Sequence, residues 1–330
     1  MRGFIIRLLC FATIMSALCC GFEFLLDKSE IKAGGTTART RFIDQSLKAD
    51  ILVFGSSRAL HHYNPIIMKS VLHHTVYNCG EDKMGIIFNY GRYRIISQRY
   101  IPRIIVYDVE PDYDLLYNDN TSYISGLRRY QNHSDIRELF VDVDPWERFK
   151  TILMPYRLNN RIVQTLKDYV APTDSYILGY SPYIGSMKTF IPENLPQDNY
   201  DSMKFKYLKR IVAECKGQTQ IIFTASPQLS YKNDSVFVPL KEFCKKRRIP
   251  FINHFCDTTF TNHPHLFHNA NHLEKKGAEY YSLIIAKEIR NIINHHYEYN
   301  QHTYIIKSSH TDIAVYAFHI LHTNLNLPFF

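Results

Sequence analysis

Five short, continuous apolar runs constrain the fold of this chain more than any other feature. Such runs are typical of parallel strands that are buried on both faces of a sheet. Stretches with helical spacing of apolar residues lie between them, and most connections are short. This alternation predicts an α/β fold in three α/β/α layers, with a parallel sheet between two layers of helices. The predicted strands cover residues 51–55, 75–79, 103–109, 220–225 and 250–255, and the clearest helices cover about 66–72, 86–96, 200–215, 236–246 and 274–293.

The amino terminus adds a segment that is long enough to cross a membrane. Residues 8–22 are apolar, and the wider stretch over 4–26 reaches the roughly 20 residues that span a bilayer. Arg2 and Arg7 precede the run and acidic residues follow it, which predicts an inside amino terminus and an exported body. We therefore expect a signal-anchor over residues 1–26 in the cytoplasmic membrane. A cleaved signal peptide is the alternative, although no clean small-x-small cleavage site follows the run.

The rest of the chain divides by composition. A polar stretch over 27–41 is expected to be a tether, and the folded α/β domain is expected over 42–300. Within that domain, residues 111–199 break the strand and helix alternation and are rich in Tyr, Asp, Asn and Pro. We expect this insertion to lie over the carboxyl edge of the sheet and to shape a substrate cleft. Residues 301–330 form a carboxy-terminal extension to which the sequence assigns no role.

Charge and cysteine content exclude several classes of protein. Thirty-nine Lys and Arg against 31 Asp and Glu give a net charge of +8, which favours anionic surfaces such as phospholipid head groups or acidic glycans. No stripe of basic residues alternates with stacking aromatics, so nucleic-acid binding is not predicted. Seven cysteines without a CxxC pair provide neither a zinc ribbon nor a thioredoxin motif. One disulfide among Cys215, Cys244 and Cys256 is open in an exported body, and buried free thiols are the alternative.

Two polar motifs are candidates for a site at the carboxyl edge of the sheet, where open parallel sheets bind their ligands. Ser57 belongs to a Gly-Ser-Ser-Arg sequence directly after the first strand, and the carboxyl end of a strand is a good place for a nucleophile. The helix that follows is expected to begin only at about Pro65. If His272, just before the last helix, reaches Ser57, it can act as general base, with Asn269 orienting the imidazole. Taken singly, these residues are better explained as turn, capping or packing residues.

Taken together, these motifs resemble the SGNH (GDSL-type) hydrolase superfamily. The resemblance is carried by GSSR after the first strand, Asn78-Cys79-Gly80 after the second, Ser226-Pro227 after a late strand and N-x-N-H-L-x-x-x-G-A before the last helix. More narrowly, a membrane-anchored chain reading FGSSRALHHYNP is similar to SGNH-like proteins of Gram-negative envelopes, some of which act with glycan O-acylation systems. The resemblance covers about 49–110 and 218–293 and implies a flavodoxin-like sheet, no cofactor, no metal, and a body in the periplasm or cell envelope.

The resemblance also implies roles for individual residues. Ser57 would be the nucleophile and His272 the base. The backbone N–H groups of Ser57 and Gly80 would form the oxyanion hole, which stabilises the charge on a tetrahedral intermediate. With these roles the chain would be an esterase or an O-acyltransferase, acting on acyl esters of an envelope glycan or on related small esters. Hydrolysis and transfer both pass through an acyl-Ser57 intermediate, so the sequence does not separate them.

Two departures from the family pattern bear on activity. The family usually carries Asp three residues before its His, whereas this chain has Asn269, and an amide orients the ring without offsetting an imidazolium charge. The usual oxyanion-hole Asn after the third strand is missing, because the strand runs into Glu110 and no Asn occurs before Asn118. The alternative function is therefore a catalytically silent domain that binds a glycan or a membrane acyltransferase partner.

Other residue clusters leave three further alternatives open. Five histidines supply enough imidazoles for a metal site, although a chain with sixteen His will have several in one region: His254, His263, His265, His268 and His272. Asp108, Asp112 and Asp114 form a candidate carboxylate cluster for glycoside chemistry. The tyrosines of the insertion could stack on sugar rings, and an ordinary amphipathic surface explains them as well.

Overall fold

The protein is an α/β structure built on a five-stranded sheet in which every neighbouring pair of strands is parallel. The computed structural model describes residues 2–172, 175–191 and 199–294, so the extension predicted over 301–330 lies outside the described residues. The strands are β1 (Ile51–Gly55), β2 (Val76–Asn78), β3 (Ile104–Asp108), β4 (Gln220–Ala225) and β5 (Phe251–Asn253), in the spatial order β2-β1-β3-β4-β5. Each of them falls within one of the predicted apolar runs.

Helices precede, separate and follow these strands. In chain order they are α1 (Arg2–Lys32), α2 (Gly35–Gln45), α3 (Ser57–His62), α4 (Pro65–Leu72), α5 (Ile86–Ser97), α6 (Pro111–Asp114), α7 (Ser134–Val143), α8 (Glu147–Lys150), α9 (Met154–Val170), α10 (Ser202–Cys215), α11 (Val238–Arg247), α12 (Thr258–Thr261) and α13 (275–294). Short 3₁₀ segments cover Ser122–Tyr130, Ser235–Phe237 and Pro264–Leu266. A small antiparallel hairpin of β6 (Phe267–Asn269) and β7 (His272–Leu273) comes just before α13.

Two apolar cores lie on opposite faces of the sheet because successive strand residues point to opposite sides. Leu52 and Phe54 of β1 belong to one core, which also takes up the buried faces of α5 and α10. Ile51 and Val53 belong to the other, under α4 and α13. Helices on both faces of a fully apolar strand are what the continuous runs predict, and the layered arrangement follows from them.

The segment predicted as a tether over 27–41 is helical and packed against the body. Helix α1 continues to Lys32, and α2 begins three residues later at Gly35. The fully buried guanidinium of Arg39 explains the packing, because it donates to the backbone carbonyls of Asn78 at 3.1 Å and of Gly179 at 3.2 Å. A buried arginine with carbonyl partners holds α2 against the sheet edge, so this segment is part of the folded body and not a tether.

Helix α1 is long and apolar enough to cross a membrane. Its apolar 18-residue window has a mean hydropathy of 2.1, and none of that window is buried within the protein. A core helix would bury such a surface, so this helix is compatible with membrane association. The insertion over 111–199 supplies α6 to α9, and α9 packs along the carboxy-terminal part of α1.

Candidate active site

A sharp turn after β1 presents Ser57 at the start of α3. Gly55 makes the turn with φ of +143°, and a Cβ there would lie 2.6 Å from the backbone oxygen of Asp108. Only glycine fits this conformation and this approach. The sequence placed the next helix at about Pro65, which was wrong, because the tight turn at Gly55 allows the chain to enter a helix at Ser57 itself.

The β6–β7 hairpin brings Asn269 and His272 to Ser57. The Nε2 atom of His272 lies 2.8 Å from Oγ of Ser57. The Nδ1 atom lies 2.9 Å from Oδ1 of Asn269, which also accepts from the backbone N–H of His272 at 3.0 Å. An amide oxygen only accepts, so Nδ1 carries the ring proton and Nε2 accepts from the Ser57 hydroxyl. Three residues singled out from the sequence thus lie in one hydrogen-bonded chain.

Burial and neighbouring positive charge hold the His272 ring neutral. Burial is the largest cause, and His61 and Arg58 act in the same direction, so that the pKa of His272 falls to about 4. Asp82 acts in the opposite direction without restoring the ordinary value. The ring is therefore unprotonated at neutral pH and able to accept a proton, but it is a weaker base than an imidazole paired with a carboxylate.

The two backbone donors that the resemblance names for an oxyanion hole stand in different environments. The N–H of Ser57 is in the first turn of α3, where the helix supplies no acceptor. The N–H of Gly80 donates to Oδ1 of Asn78 at 2.9 Å. Gly80 also packs tightly on α3, since a Cβ there would lie 2.4 Å from the backbone nitrogen of Leu60. Gly80 would have to give up its bond to Asn78 in order to donate to a substrate.

A buried hydrogen-bond chain holds the hairpin beside Ser57. The N–H of Leu273 donates to Nε2 of His62 at 2.9 Å, which leaves the proton of that ring on Nδ1. Nδ1 donates to Oγ of Ser226 at 2.9 Å, and Ser226 donates to Oδ2 of Asp108 at 2.9 Å. Burial lowers the pKa of His62 well below its ordinary value, so this ring stays neutral. The chain ties the residue after His272 to the ends of β3 and β4.

Arg58 is fully buried between two carboxylates next to Ser57. Its Nε lies 3.8 Å from Oδ2 of Asp108, and its Nη2 donates to the backbone oxygen of Val109 at 3.0 Å. The hydroxyl of Ser56 donates to the carboxylate of Glu110. Burial raises the pKa of both Asp108 and Glu110, and the charge of Arg58 opposes the rise. The carboxylate that follows the third strand is thus engaged by a hydroxyl and balanced by a guanidinium.

Stacked rings border the other side of His272. Tyr183, from the insertion, stacks on His268 with centroids 4.6 Å apart and 7° between the planes. It also contacts His61 with centroids 3.9 Å apart, and its ring lies 5.2 Å from that of His272. Nε2 of His61 lies 3.2 Å from the carboxylate of Asp82. The three rings of Tyr183, His61 and His268 thus pack on one another and form an aromatic wall beside the serine.

Several residues of the site were not identified from the sequence. Tyr183 comes from the middle of the insertion, where no local pattern sets it apart from the other tyrosines. The pair His61-His62 stands out in the sequence, but the sequence does not indicate which way either ring points. The fold separates the two rings, since His61 contacts the stacked rings and His62 bonds inward to Ser226. Ser226 carried a signal, because Ser-Pro after a strand was part of the family resemblance.

The remaining candidate clusters do not assemble into sites. Among the residues that the structure describes, no group of three His, Cys, Asp or Glu is arranged to hold a metal ion. Asp108 and Asp114 belong to separate networks, since Asp108 accepts from Tyr63 and Asp114 accepts from Tyr107, at 2.7 and 2.8 Å. All seven thiols of the chain are free, including the three for which a disulfide was left open.

No protein-family model matches this sequence, and no curated protein is similar to it at a significant level. The contacts around Ser57 are therefore the basis for a functional proposal.

Proposed function

We propose that this protein is an exported, membrane-anchored SGNH-like esterase or O-acyltransferase that acts on acyl esters of an envelope glycan through Ser57. The observation that carries the proposal is the pair of contacts from Ser57 to His272 and from His272 to Asn269, at 2.8 and 2.9 Å. A hydroxyl, a base and a group that orients the base are the parts of a serine nucleophile. The unburied apolar helix α1 supports anchoring, and the net charge of +8 suits an anionic envelope.

The first half of the proposed reaction forms an acyl-enzyme. Oγ of Ser57 attacks the carbonyl carbon of the ester while its proton passes to Nε2 of His272. The Ser57 N–H donates to the oxyanion of the tetrahedral intermediate, and Gly80 joins it if its N–H turns away from Asn78. The carbon–oxygen bond to the alcohol then breaks, and the leaving oxygen takes the proton from His272.

The second half transfers the acyl group to an acceptor. His272, neutral again, removes a proton from water or from a sugar hydroxyl, which attacks the acyl-Ser57 carbonyl. Collapse of the intermediate returns the proton to Ser57 and releases an acid or a new ester. We propose that the sugar ring packs against the edges of the stacked Tyr183 and His268 rings, because these rings lie beside the base.

Labelling by a serine-directed fluorophosphonate tests this proposal. The full chain is used in detergent, because the end of α1 packs on the insertion. We expect Ser57→Ala to abolish labelling and His272→Ala to slow it by several orders of magnitude, because the nucleophile then lacks its base. Matched controls are Ser70→Ala and His265→Ala, two exposed residues outside the site, which should label like the unmodified protein.

Unchanged labelling in Ser57→Ala would discard Ser57 as the nucleophile. No labelling of the unmodified, demonstrably folded protein would instead favour the second candidate, a silent domain that binds a glycan or a membrane acyltransferase partner. Two observations favour that candidate: the base is oriented by the uncharged Asn269, and the Gly80 N–H is occupied by Asn78. Detergent-stable co-purification with a membrane acyltransferase would then be the property to measure.

A further inference from the structure

The segment that holds α8 is folded with its polar side inward and its apolar side outward. Glu147 is fully buried and accepts from Arg128 at 3.3 Å, and Thr151 is also buried. Trp146 and Ile152, in contrast, are 67% and 70% exposed. Folded proteins usually bury apolar side chains and expose charged ones, so this arrangement is the reverse of the usual one. The outward apolar side chains are Trp146, Phe149, Ile152 and Leu153, and we call them the α8 patch.

The α8 patch is held in place and not loosely exposed. The rings of Trp146 and Phe149 lie 5.9 Å apart. The backbone N–H of Trp146 donates to Asp144 at 2.9 Å, and Lys150 pairs with the same carboxylate at 2.6 Å. These bonds, together with buried Glu147, fix the direction of the outward side chains. A rigid apolar surface of four large side chains marks a contact with something apolar.

The register between α1 and α9 shows where this patch lies along the anchor. Arg157 pairs with Glu23 at 2.5 Å, and Arg161 pairs with Asp27, so both contacts have the same offset of 134 positions. Arg161 also reaches Glu30 and Glu23, about one turn to either side of Asp27, so the offsets centre on 134 positions and the two helices run parallel. Because each residue advances a helix by about 1.5 Å, position 153 is level with position 19 of α1.

That level lies inside the apolar part of the anchor. The uninterrupted apolar run of α1 ends at Phe22, and Glu23 is the first acidic residue after it. Leu153 is thus level with a point about 6 Å short of Glu23 along the axis, which is the depth that interfacial side chains reach in a bilayer. Tryptophan is enriched at this boundary, and exposed Arg148, over the ring of Phe149, can meet lipid phosphates.

We propose that the α8 patch inserts into the lipid surface of the membrane that α1 crosses, on the side where α1 leaves it. The inference rests on the membrane anchoring proposed above and goes beyond it by giving the folded body a second membrane contact. Two contacts, α1 and the α8 patch, fix the orientation of the body on the membrane, whereas α1 alone leaves rotation about its axis open. The occupant of the patch is lipid rather than another protein, because the register places Leu153, the last residue of the patch, at bilayer depth.

The chain provides its own probe, since Trp146 is the only tryptophan in the sequence. The full chain is reconstituted into vesicles of phosphatidylcholine and phosphatidylglycerol, with bromine atoms at a shallow position on the acyl chains. We expect these lipids to quench the fluorescence of Trp146 relative to unbrominated lipids. The matched control moves the tryptophan to the outward face of α9 with Val163→Trp in a Trp146→Phe background. Position 163 lies about 15 Å further from the membrane by the helical rise, so its fluorescence should be unaffected.

A third variant separates the failure of this inference from failure of the anchor. Phe11→Trp in the Trp146→Phe background, read with bromine atoms deep on the acyl chains, reports whether α1 lies in the bilayer, because position 11 is about 18 Å from Glu23 along the helix. If that tryptophan is quenched and Trp146 is not, the lipid contact is overturned while the anchor stands, and the patch is then a protein contact. If neither is quenched, the anchor and the lipid contact are both overturned. Fluorophosphonate labelling of Ser57 is read independently of all three results.

Discussion

The site around Ser57 and the contact between α1 and α9 differ in whether burial or ion pairing sets the charge of their side chains. At the site, burial moves ionisable groups toward their neutral forms: the pKa of Asp108 is raised and that of His272 is lowered to about 4. At the α1–α9 contact, arginines meet acidic residues near the surface. Burial alone would lower the pKa of Arg161, but hydrogen bonds to Glu30 and Asp27 raise it.

This difference indicates what each region is built to do. Burial at the site keeps His272 in its neutral form, which is the form that a general base needs in order to accept a proton. Opposite charges at a partly exposed contact fix the geometry of two helices. The site therefore depends on buried polar groups whose loss is costly, and the α1–α9 contact on pairs whose individual contributions are small.

The largest expected effect in this comparison comes from Asp108→Asn. The carboxylate accepts from Tyr63 and from Ser226 and balances the buried guanidinium of Arg58. An amide presents one acceptor in place of two and leaves Arg58 without its charge partner. Breaking a buried pair costs about 3–5 kcal/mol, so we expect a marked fall in the melting temperature of the full chain in detergent.

The control for this variant is Asp112→Asn, four residues along the chain. Asp112 is exposed, and its substitution should change stability by less than about 0.5 kcal/mol. Equal melting temperatures for the two variants would contradict a structural dependence on the buried network. They would then place the stability of this region in its apolar packing.

The next effect, smaller in free energy, comes from Asn269→Asp. A carboxylate in place of the amide would still accept from Nδ1 of His272 and would add a negative charge beside the ring. The pKa of His272 should rise from about 4 toward its ordinary value of about 6.5, because the charge stabilises the imidazolium. We expect labelling of Ser57 at neutral pH to accelerate by at least about tenfold, since the reverse change in a related triad costs about 10⁴.

The pH dependence of labelling shows whether the cause is charge. In the unmodified protein the rate should be level above about pH 5 and fall as His272 is protonated near pH 4. In Asn269→Asp this fall should move to higher pH. The matched control is Asn271→Asp, two positions away and bonded to Ser230 instead of the ring. The same acid limb in all three proteins would contradict the role of Asn269, and no acceleration would favour the binding function.

The sequence predicted the sheet well because a strand buried on both faces has an unmistakable composition. The runs at 51–55 and 220–225 coincide with β1 and β4 at both ends. The motifs also suggested Ser57 and His272 as partners, and the antiparallel β6–β7 hairpin brings the two side chains within 2.8 Å of each other. The start of α3 escaped prediction, because it depends on the φ of +143° at Gly55. A glycine in the sequence does not reveal which conformation the surrounding backbone imposes.

Other features could not be predicted because they depend on contacts between distant segments. The polar stretch over 27–41 has the composition of a tether, and it becomes helical and packed because Arg39 finds carbonyl acceptors in β2 and in the insertion. The contact of Tyr183 with His268 likewise joins positions that share no local pattern. Such pairings depend on how the insertion folds back over the sheet, and neither segment encodes it alone.

The smallest expected effect comes from Arg161→Met, which tests the α1–α9 contact. Glu30 loses its bond from Nε at 2.6 Å but keeps Arg129 at 2.9 Å, so the acidic group is not left unpaired. We expect a loss of about 1 kcal/mol, measured as a small fall in the melting temperature in detergent. Arg137→Met, at an exposed arginine of α7, is the matched control and should leave the melting temperature unchanged.

Labelling of Ser57 in the Arg161→Met protein decides whether the two regions are independent. If the α1–α9 contact serves geometry alone, the labelling rate should stay within about twofold of the unmodified protein, because distant sites are usually additive. A larger fall would mean that the anchor acts on the site. The route would be α2, since Arg39 donates to the backbone oxygen of Gly80 at 2.5 Å and pairs with Glu81 at 3.0 Å. In an Arg39→Met background, Arg161→Met would then no longer change the labelling rate of Ser57.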